Sequence, residues 1–84
     1  HSCRPNAGLK LIDNKLWLVA IWWIFKDDEI TFDYSTTMGP KEEWRLECKC
    51  GTPFCRKIIE PYNTLGPPIR EYYEKLGVAL AAEW

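Results

Sequence analysis

Cys48-Lys49-Cys50-Gly51-Thr52-Pro53-Phe54-Cys55 gathers three of the chain's four cysteines into one short stretch. In an extended segment, residues two apart project to the same face, so Cys48 and Cys50 can turn toward a common point. Gly51 and Pro53 let the chain bend and bring Cys55 back to it. Three thiolates so arranged need one further ligand to close a tetrahedral zinc site. The obvious donors outside the stretch are Cys3 and His1, both far upstream. A metal held by either would tie the two ends of this region together. Spacing alone leaves a disulfide and inert buried thiols open beside zinc, and it names no reaction.

The rest of the composition narrows the class. A chain of 84 residues allows one small domain at most. A hydrophobic fraction of 46% with five tryptophans supplies a core and excludes a disordered tail. Eleven basic against twelve acidic residues give a net charge of −1, and no basic stripe runs along the chain. Direct nucleic-acid binding therefore has no electrostatic footprint, while a basic partner such as a lysine-rich substrate is permitted. The start, His1-Ser2-Cys3-Arg4-Pro5-Asn6, carries no apolar region behind a basic end, so no signal peptide is read. The longest apolar stretch, residues 16–25, is half of the ~20 residues that cross a bilayer. The expectation is an intracellular protein with no membrane partner, and in a reducing compartment cysteines serve as thiolate ligands more than as disulfides. The absence of an initiator Met and the dense polar opening read as a fragment of a longer polypeptide.

Outward from the cysteines, the pattern predicts a mainly β chain. Residues 9–12 and 15–24 read as two strands joined by a tight turn at Asp13-Asn14. The second is apolar on both alternating faces, which predicts burial on both sides or a partner elsewhere. Ile30-Thr31-Phe32-Asp33-Tyr34 reads as a short β-branched and aromatic strand, followed by a loop over residues 35–41. A Pro/Gly linker spans residues 61–68. Residues 69–76 read as a helix with Ile69, Tyr72, Tyr73 and Leu76 on one face and Gly77 at its end.

Three of these segments resemble a known family. His1-Ser2-Cys3-Arg4-Pro5-Asn6 is similar to the Asn-His-Ser-Cys-x-Pro-Asn signature of SET-domain protein lysine methyltransferases, without its first Asn. Asp28-Glu29-Ile30-Thr31-Phe32-Asp33-Tyr34 resembles the Glu-Glu-Leu-Thr-Phe-Asp-Tyr signature near the end of that domain. The Cys48, Cys50, Cys55 spacing resembles the post-SET zinc motif. The three stand in the family's order at compatible spacings, over residues 1 to about 57. The resemblance implies the C-terminal portion of a SET-domain β-fold with its pseudoknot over residues 1–36, a post-SET zinc knot over 37–60, and a linker with a short C-terminal helix over 61–84. It lacks the N-terminal half of the domain, including the Gly-x-Gly cosubstrate loop. Asp27 stands where many members have Gly, and Trp22 and Trp23 are bulkier than the polar residues often found there. Their expected role is packing, against ordinary core, the missing half or a partner.

The same resemblance implies roles. His1 belongs to the S-adenosylmethionine site near the adenine. Cys3 is the fourth zinc ligand with Cys48, Cys50 and Cys55. Pro5 and Asn6 shape the segment that threads the pseudoknot. Phe32 lines the lysine channel, and Tyr34 is the catalytic tyrosine. Four thiolates leave no open position for water or substrate, so the zinc is read as structural. Asp33 faces away from Phe32 and Tyr34 and is expected to make a structural hydrogen bond. Phe54 or Tyr62 is the candidate for an apolar lid. The implied function is S-adenosylmethionine-dependent methylation of a lysine side chain, on a histone or another basic protein. The implied setting is chromatin in a eukaryote or the cytoplasm in a prokaryote. The fragment alone is expected to be inactive. The alternative is a noncatalytic, zinc-stapled protein-interaction module; a secreted, disulfide-stabilised domain is disfavoured by the missing signal.

Overall fold

Asp13 and Asn14 adopt φ of 50° and 63°, the left-handed geometry that a two-residue hairpin turn requires. In the computed structural model, which describes residues 1–83, this turn joins β1 (Ala7–Ile12) to β2 (Lys15–Ala20). The pair is antiparallel, with Ala7 opposite Ala20 and Ile12 opposite Lys15. β2 is shorter than the apolar run predicts. β1 begins only at Ala7, and the Asn6 carbonyl accepts from the N–H groups of Ile21 and Trp22, which ends the ladder there. Residues 22–25 leave the sheet with Trp22, Trp23 and Phe25 exposed. Leu16, Trp17 and Leu18 on β2 are exposed as well, so the expected burial on both faces is not met within this chain.

Of the expected strand over residues 30–34, residues 30–33 join no sheet and Tyr34 already begins a turn. The segment is zipped to the start of the chain instead. Asn6 Nδ2 donates to the Glu29 carbonyl at 2.9 Å, and Asn6 Oδ1 accepts from Thr31 N–H at 2.9 Å. Ala7 N–H donates to the Thr31 carbonyl and Ser2 N–H to that of Phe32. Asp33 then stops the run. Its side chain accepts from Ser35 N–H at 3.0 Å and caps a 3-10 turn, Tyr34–Thr37. Such a local cap competes with strand pairing, so Tyr34 starts a turn where the pattern predicts the end of a strand.

β3 (Leu46–Glu47) pairs antiparallel with β4 (Ile58–Ile59) and closes the cysteine loop at its base. The helix α1 (Pro67–Leu76) begins two residues before the predicted start. Pro67 and Pro68 occupy its first positions, where no backbone N–H is needed. Gly77 ends it in the left-handed region at φ 72°, the conformation glycine adopts at least cost. Of the predicted apolar face, Tyr73 is buried and Leu76 packs on the core, but Ile69 and Tyr72 are exposed.

The core has two parts. Tyr62, Leu65, Tyr73, Val78 and Ala81 form one, with Val19 and Ile21 of the hairpin side packed against it. A Cβ on Gly8 would lie 2.7 Å from Val78 Cβ, so glycine is what lets β1 approach this segment. Cys3, Met38, Cys48 and Ile59 form the other, with Tyr34, Cys50 and Cys55 against it. No helix among the described residues is long and apolar enough to cross a membrane. The architecture is mixed: two small sheets, one helix and a cysteine cluster.

Candidate metal centre and adjoining site

The Cys48 N–H donates to the Lys57 carbonyl at 2.6 Å, which continues the β3–β4 pairing to the first cysteine. Gly51 at φ 73° and the turn in which Cys55 N–H donates to the Thr52 carbonyl fold the loop back. Cys3 arrives from the start of the chain. The four sulfurs lie within 4.8 Å of one another. Zn–S bonds of about 2.3 Å in a tetrahedron put sulfurs about 3.8 Å apart, and Cys3 Sγ is 3.6 Å from Cys48 Sγ. All four cysteines are free thiols. The donor set therefore fits one thiophilic cation, and of the two donors the spacing left open, Cys3 is the one whose ligand atom lies within the cluster.

The surroundings favour the thiolate of Cys50 and oppose those of Cys3 and Cys48. Arg56 N–H donates to Cys3 Sγ at 3.3 Å, and the Thr52 hydroxyl lies 3.4 Å from Cys50 Sγ. Burial pushes the Cys3 thiol up and Cys48 up to about 12. Burial acts against Cys50 as well, but its hydrogen bonds from Thr52 and neighbouring groups hold it down to about 5. Four thiols this close cannot all ionise unaided, whereas a central cation supplies the charge that lets them do so.

His1 joins this cluster to Tyr34. Its Nδ1 accepts from Tyr34 N–H at 2.9 Å, and its Nε2 lies 3.4 Å from Cys3 Sγ. An accepting Nδ1 leaves the proton on Nε2, which then donates to sulfur. For the same reason, the 3.7 Å approach of Nδ1 to Asp33 Oδ1 is proximity, not an ion pair. The Phe32 and Tyr34 rings pack at 4.9 Å between centroids, and His1 meets Tyr34 edge-on at 5.2 Å. A cavity of about 560 Å³ opens between His1, Thr31, Tyr34, Leu46, Lys49 and Ile59.

Asp33 makes the structural hydrogen bonds expected of it. Its Oδ1 accepts from Arg56 Nη2 at 2.7 Å and its Oδ2 from the Tyr73 hydroxyl at 2.8 Å. Burial opposes charge on Arg56, but Asp33 outweighs it and holds the guanidinium above its ordinary pKa. Arg56 and Tyr73 were not singled out from sequence. Arg56 had adjacency to Cys55 as a signal; Tyr73 carried only the helical period. The two lid candidates do not border the His1–Tyr34 cavity. Tyr62 is in the core and donates its hydroxyl to the Arg70 carbonyl. Phe54 lies under the Arg4 guanidinium at 4.5 Å, on a separate groove shared with Trp22 and Tyr72.

The chain is 33% identical over 63 residues, 70% of its length, to "Histone-lysine N-methyltransferase trithorax" of Drosophila virilis. It is 38% identical over 61 residues, 67% of its length, to "Histone-lysine N-methyltransferase ATXR3" of Arabidopsis thaliana. It is 33% identical over 63 residues to "Histone-lysine N-methyltransferase, H3 lysine-4 specific" of Saccharomyces cerevisiae. The chain is a homologue of a segment of the histone-lysine methyltransferases. It spans 2%, 3% and 6% of the lengths of these three methyltransferases. No protein-family model matches the chain, and no solved structure matches it significantly.

Proposed function

We propose that the chain forms the C-terminal part of a SET-domain fold and acts within an S-adenosylmethionine-dependent protein-lysine methyltransferase. One observation carries this reading: His1, Tyr34 and the four-cysteine cluster adjoin one another in a homologue of histone-lysine methyltransferases. Residues 1–36 would supply the end of the domain, 37–60 the zinc segment, and 61–84 the linker and helix. Zinc on Cys3, Cys48, Cys50 and Cys55 would be structural, since four thiolates leave no open position. It would fix the Leu46–Lys49 wall of the cavity against His1.

The cosubstrate, when bound, supplies an electrophilic methyl group on a sulfonium. His1 and the backbone around Cys48 and Lys49 line the cavity that would receive its adenine end. Tyr34 then faces the target amine. A free lysine amine has a pKa of ~10.4, so only about one in a thousand is neutral near pH 7.4. An apolar channel would favour the neutral amine; Phe32 packs against Tyr34 but is not among the residues that line the cavity, so it would border the channel from the far side of that ring. The Tyr34 hydroxyl, neutral at that pH, can hydrogen-bond the nitrogen and aim its lone pair. Alignment and exclusion of water are the protein's main contributions.

The chain contains no Gly-x-Gly segment, so the cosubstrate loop would come from sequence outside it. The exposed apolar surface of Trp17, Trp22, Trp23 and Phe25 would pack against that part. The substrate is a lysine on a histone or another basic protein, with a chromatin setting in a eukaryote or the cytoplasm in a prokaryote. The test is methyl transfer by the full-length protein to histone and other basic peptides. Activity that drops by roughly one to three orders of magnitude in Tyr34→Phe, with folding intact, supports the reading. A wild-type protein that folds and binds zinc yet never transfers methyl would support a noncatalytic module instead.

A further inference from the structure

We propose that Tyr73, on the C-terminal helix α1, is a positioning residue for Tyr34, acting through the buried Asp33 carboxylate. This rests on the reading of Tyr34 as the catalytic tyrosine. Asp33 is 1% exposed and immediately precedes Tyr34. Its side chain caps the 3-10 turn that Tyr34 opens, and its carbonyl accepts from Thr36 N–H at 3.1 Å and from the Thr36 hydroxyl at 2.7 Å. The direction in which Tyr34 leaves the backbone therefore depends on where the Asp33 carboxylate is held.

Two side chains hold it, one on each oxygen. Arg56, next to the last cysteine, takes Oδ1, and Tyr73 takes Oδ2. Oδ1 also accepts from Ser35 N–H, so it is fixed twice, while Tyr73 is the hydrogen-bond partner found for Oδ2 among the described residues. The Tyr73 ring is buried and its hydroxyl pKa is raised, first by that burial and then by the Asp33 charge, so it stays a donor. Without that donor, Oδ2 loses its partner and the carboxylate is held through Oδ1 alone, so its plane can tilt about the Arg56 and Ser35 contacts and shift the cap with it. α1 lies more than thirty residues beyond Tyr34 in sequence, and Tyr73 is 40 residues from Asp33. The tail of the chain would thus tune a tyrosine it does not touch.

The test is a double-mutant cycle in the full-length, zinc-loaded methyltransferase. Tyr73→Phe should lower kcat by roughly tenfold, the scale of one lost hydrogen bond to a charged group, with peptide KM changed less than about twofold. Tyr72→Phe, on the exposed neighbour, should leave both unchanged. In a Tyr34→Phe background, where the oriented hydroxyl is already gone, adding Tyr73→Phe should change residual turnover less than about twofold. A residue that merely supports folding would depress both backgrounds equally, and that result overturns the proposal. So does full activity of Tyr73→Phe when Tyr34→Phe is impaired. Full activity of Tyr34→Phe removes the catalytic reading itself and the proposal with it. If Tyr73→Phe does not fold, Asp33→Asn carries the same cycle, because its NH2 replaces one of the two oxygens on which Arg56 and Tyr73 separately donate, and one of them loses its acceptor.

Discussion

Arg56 Nη2 donates to Asp33 Oδ1 across 2.7 Å, and this contact joins the residue after the last cysteine to the residue before Tyr34. The carboxylate is fully buried and the guanidinium partly so, with side-chain exposures of 0% and 19%. Removing one partner leaves a buried charge uncompensated. Arg56→Ala should therefore destabilise, by less than the ~3–5 kcal/mol of a fully buried pair, because Arg56 is partly exposed and Ser35 N–H and Tyr73 still donate to the carboxylate. Arg56→Lys keeps the charge but loses the fork that also reaches Ser35 Oγ at 3.2 Å, so it should cost less, though not nothing. Urea unfolding of the zinc-loaded protein measures both; equal stability of Arg56→Ala and wild type would mean that the pair is energetically silent.

The cysteine cluster predicts one zinc per chain. Cys50→Ser replaces a thiolate with a poor ligand and should release the metal and loosen residues 44–60. Because the ligands bind as thiolates, zinc should also be lost progressively on acidification. Elemental analysis and amide exchange are the measurements. A protein that carries no metal and shows a Cys48–Cys55 disulfide in reduced extract would contradict the site.

Burial gives Tyr73 a raised pKa, with the Asp33 charge adding to it. In the unfolded chain a tyrosine ionises near pH ~10. Below that value both states hold the proton and the Tyr73 contribution is fully present. As pH rises above it, the unfolded state loses its proton while the folded state retains it, so stability falls. Tyr62, also raised by burial, adds in the same direction. Unfolding at pH 9 and pH 11 should show a loss for wild type that is smaller in Tyr73→Phe. A pH-independent difference between the two would mean that the hydroxyl ionises as freely folded as unfolded.

The cysteine loop and the hairpin turn were readable in the sequence because each is local: cysteine spacing, Gly51, and Asp13-Asn14 fix their own geometry. The fourth ligand could be narrowed to Cys3 or His1 from residues alone, and to Cys3 by resemblance. The structure places both there, one as a cluster sulfur and the other as its hydrogen-bond donor. What sequence did not carry was competition between local and distant contacts. The Phe32 and Tyr34 pattern reads as a strand, but the Asp33 cap and the Asn6 amide take up the backbone groups a ladder would use. Periodicity marked Tyr73 as apolar face and had no way to show that its hydroxyl reaches Asp33.

The exposed ribbon predicts behaviour of residues 1–84 expressed alone. Trp23 is 74% exposed and Phe25 69%. Contiguous apolar surface of this kind marks an interaction face or an aggregation site. The isolated chain should therefore transfer no methyl and self-associate, and Trp23→Lys should raise the monomer fraction in sedimentation. In the full-length protein the same change should destabilise, because the face would then be covered. A neutral effect in the full-length protein would leave the ribbon as ordinary surface.

The last prediction concerns how many methyl groups are added, and it rests on Phe32 beside Tyr34. Their rings pack at 4.9 Å, and the edge of Phe32 is taken to border the amine bound by Tyr34. A hydroxyl placed there must find a partner, either water or the amine itself, because a buried unpaired hydroxyl is costly. A held water or a direct bond restricts rotation of the amine and takes room from added methyls. Phenylalanine has no such donor, so a methylated amine can turn and present its lone pair again. Wild type should reach di- or trimethyl-lysine, and Phe32→Tyr should shift the product toward monomethyl-lysine without abolishing turnover. Mass spectrometry of a substrate peptide taken to completion distinguishes them. A wild-type enzyme that stops at monomethyl-lysine would remove Phe32 from the channel while leaving the methyltransferase reading in place.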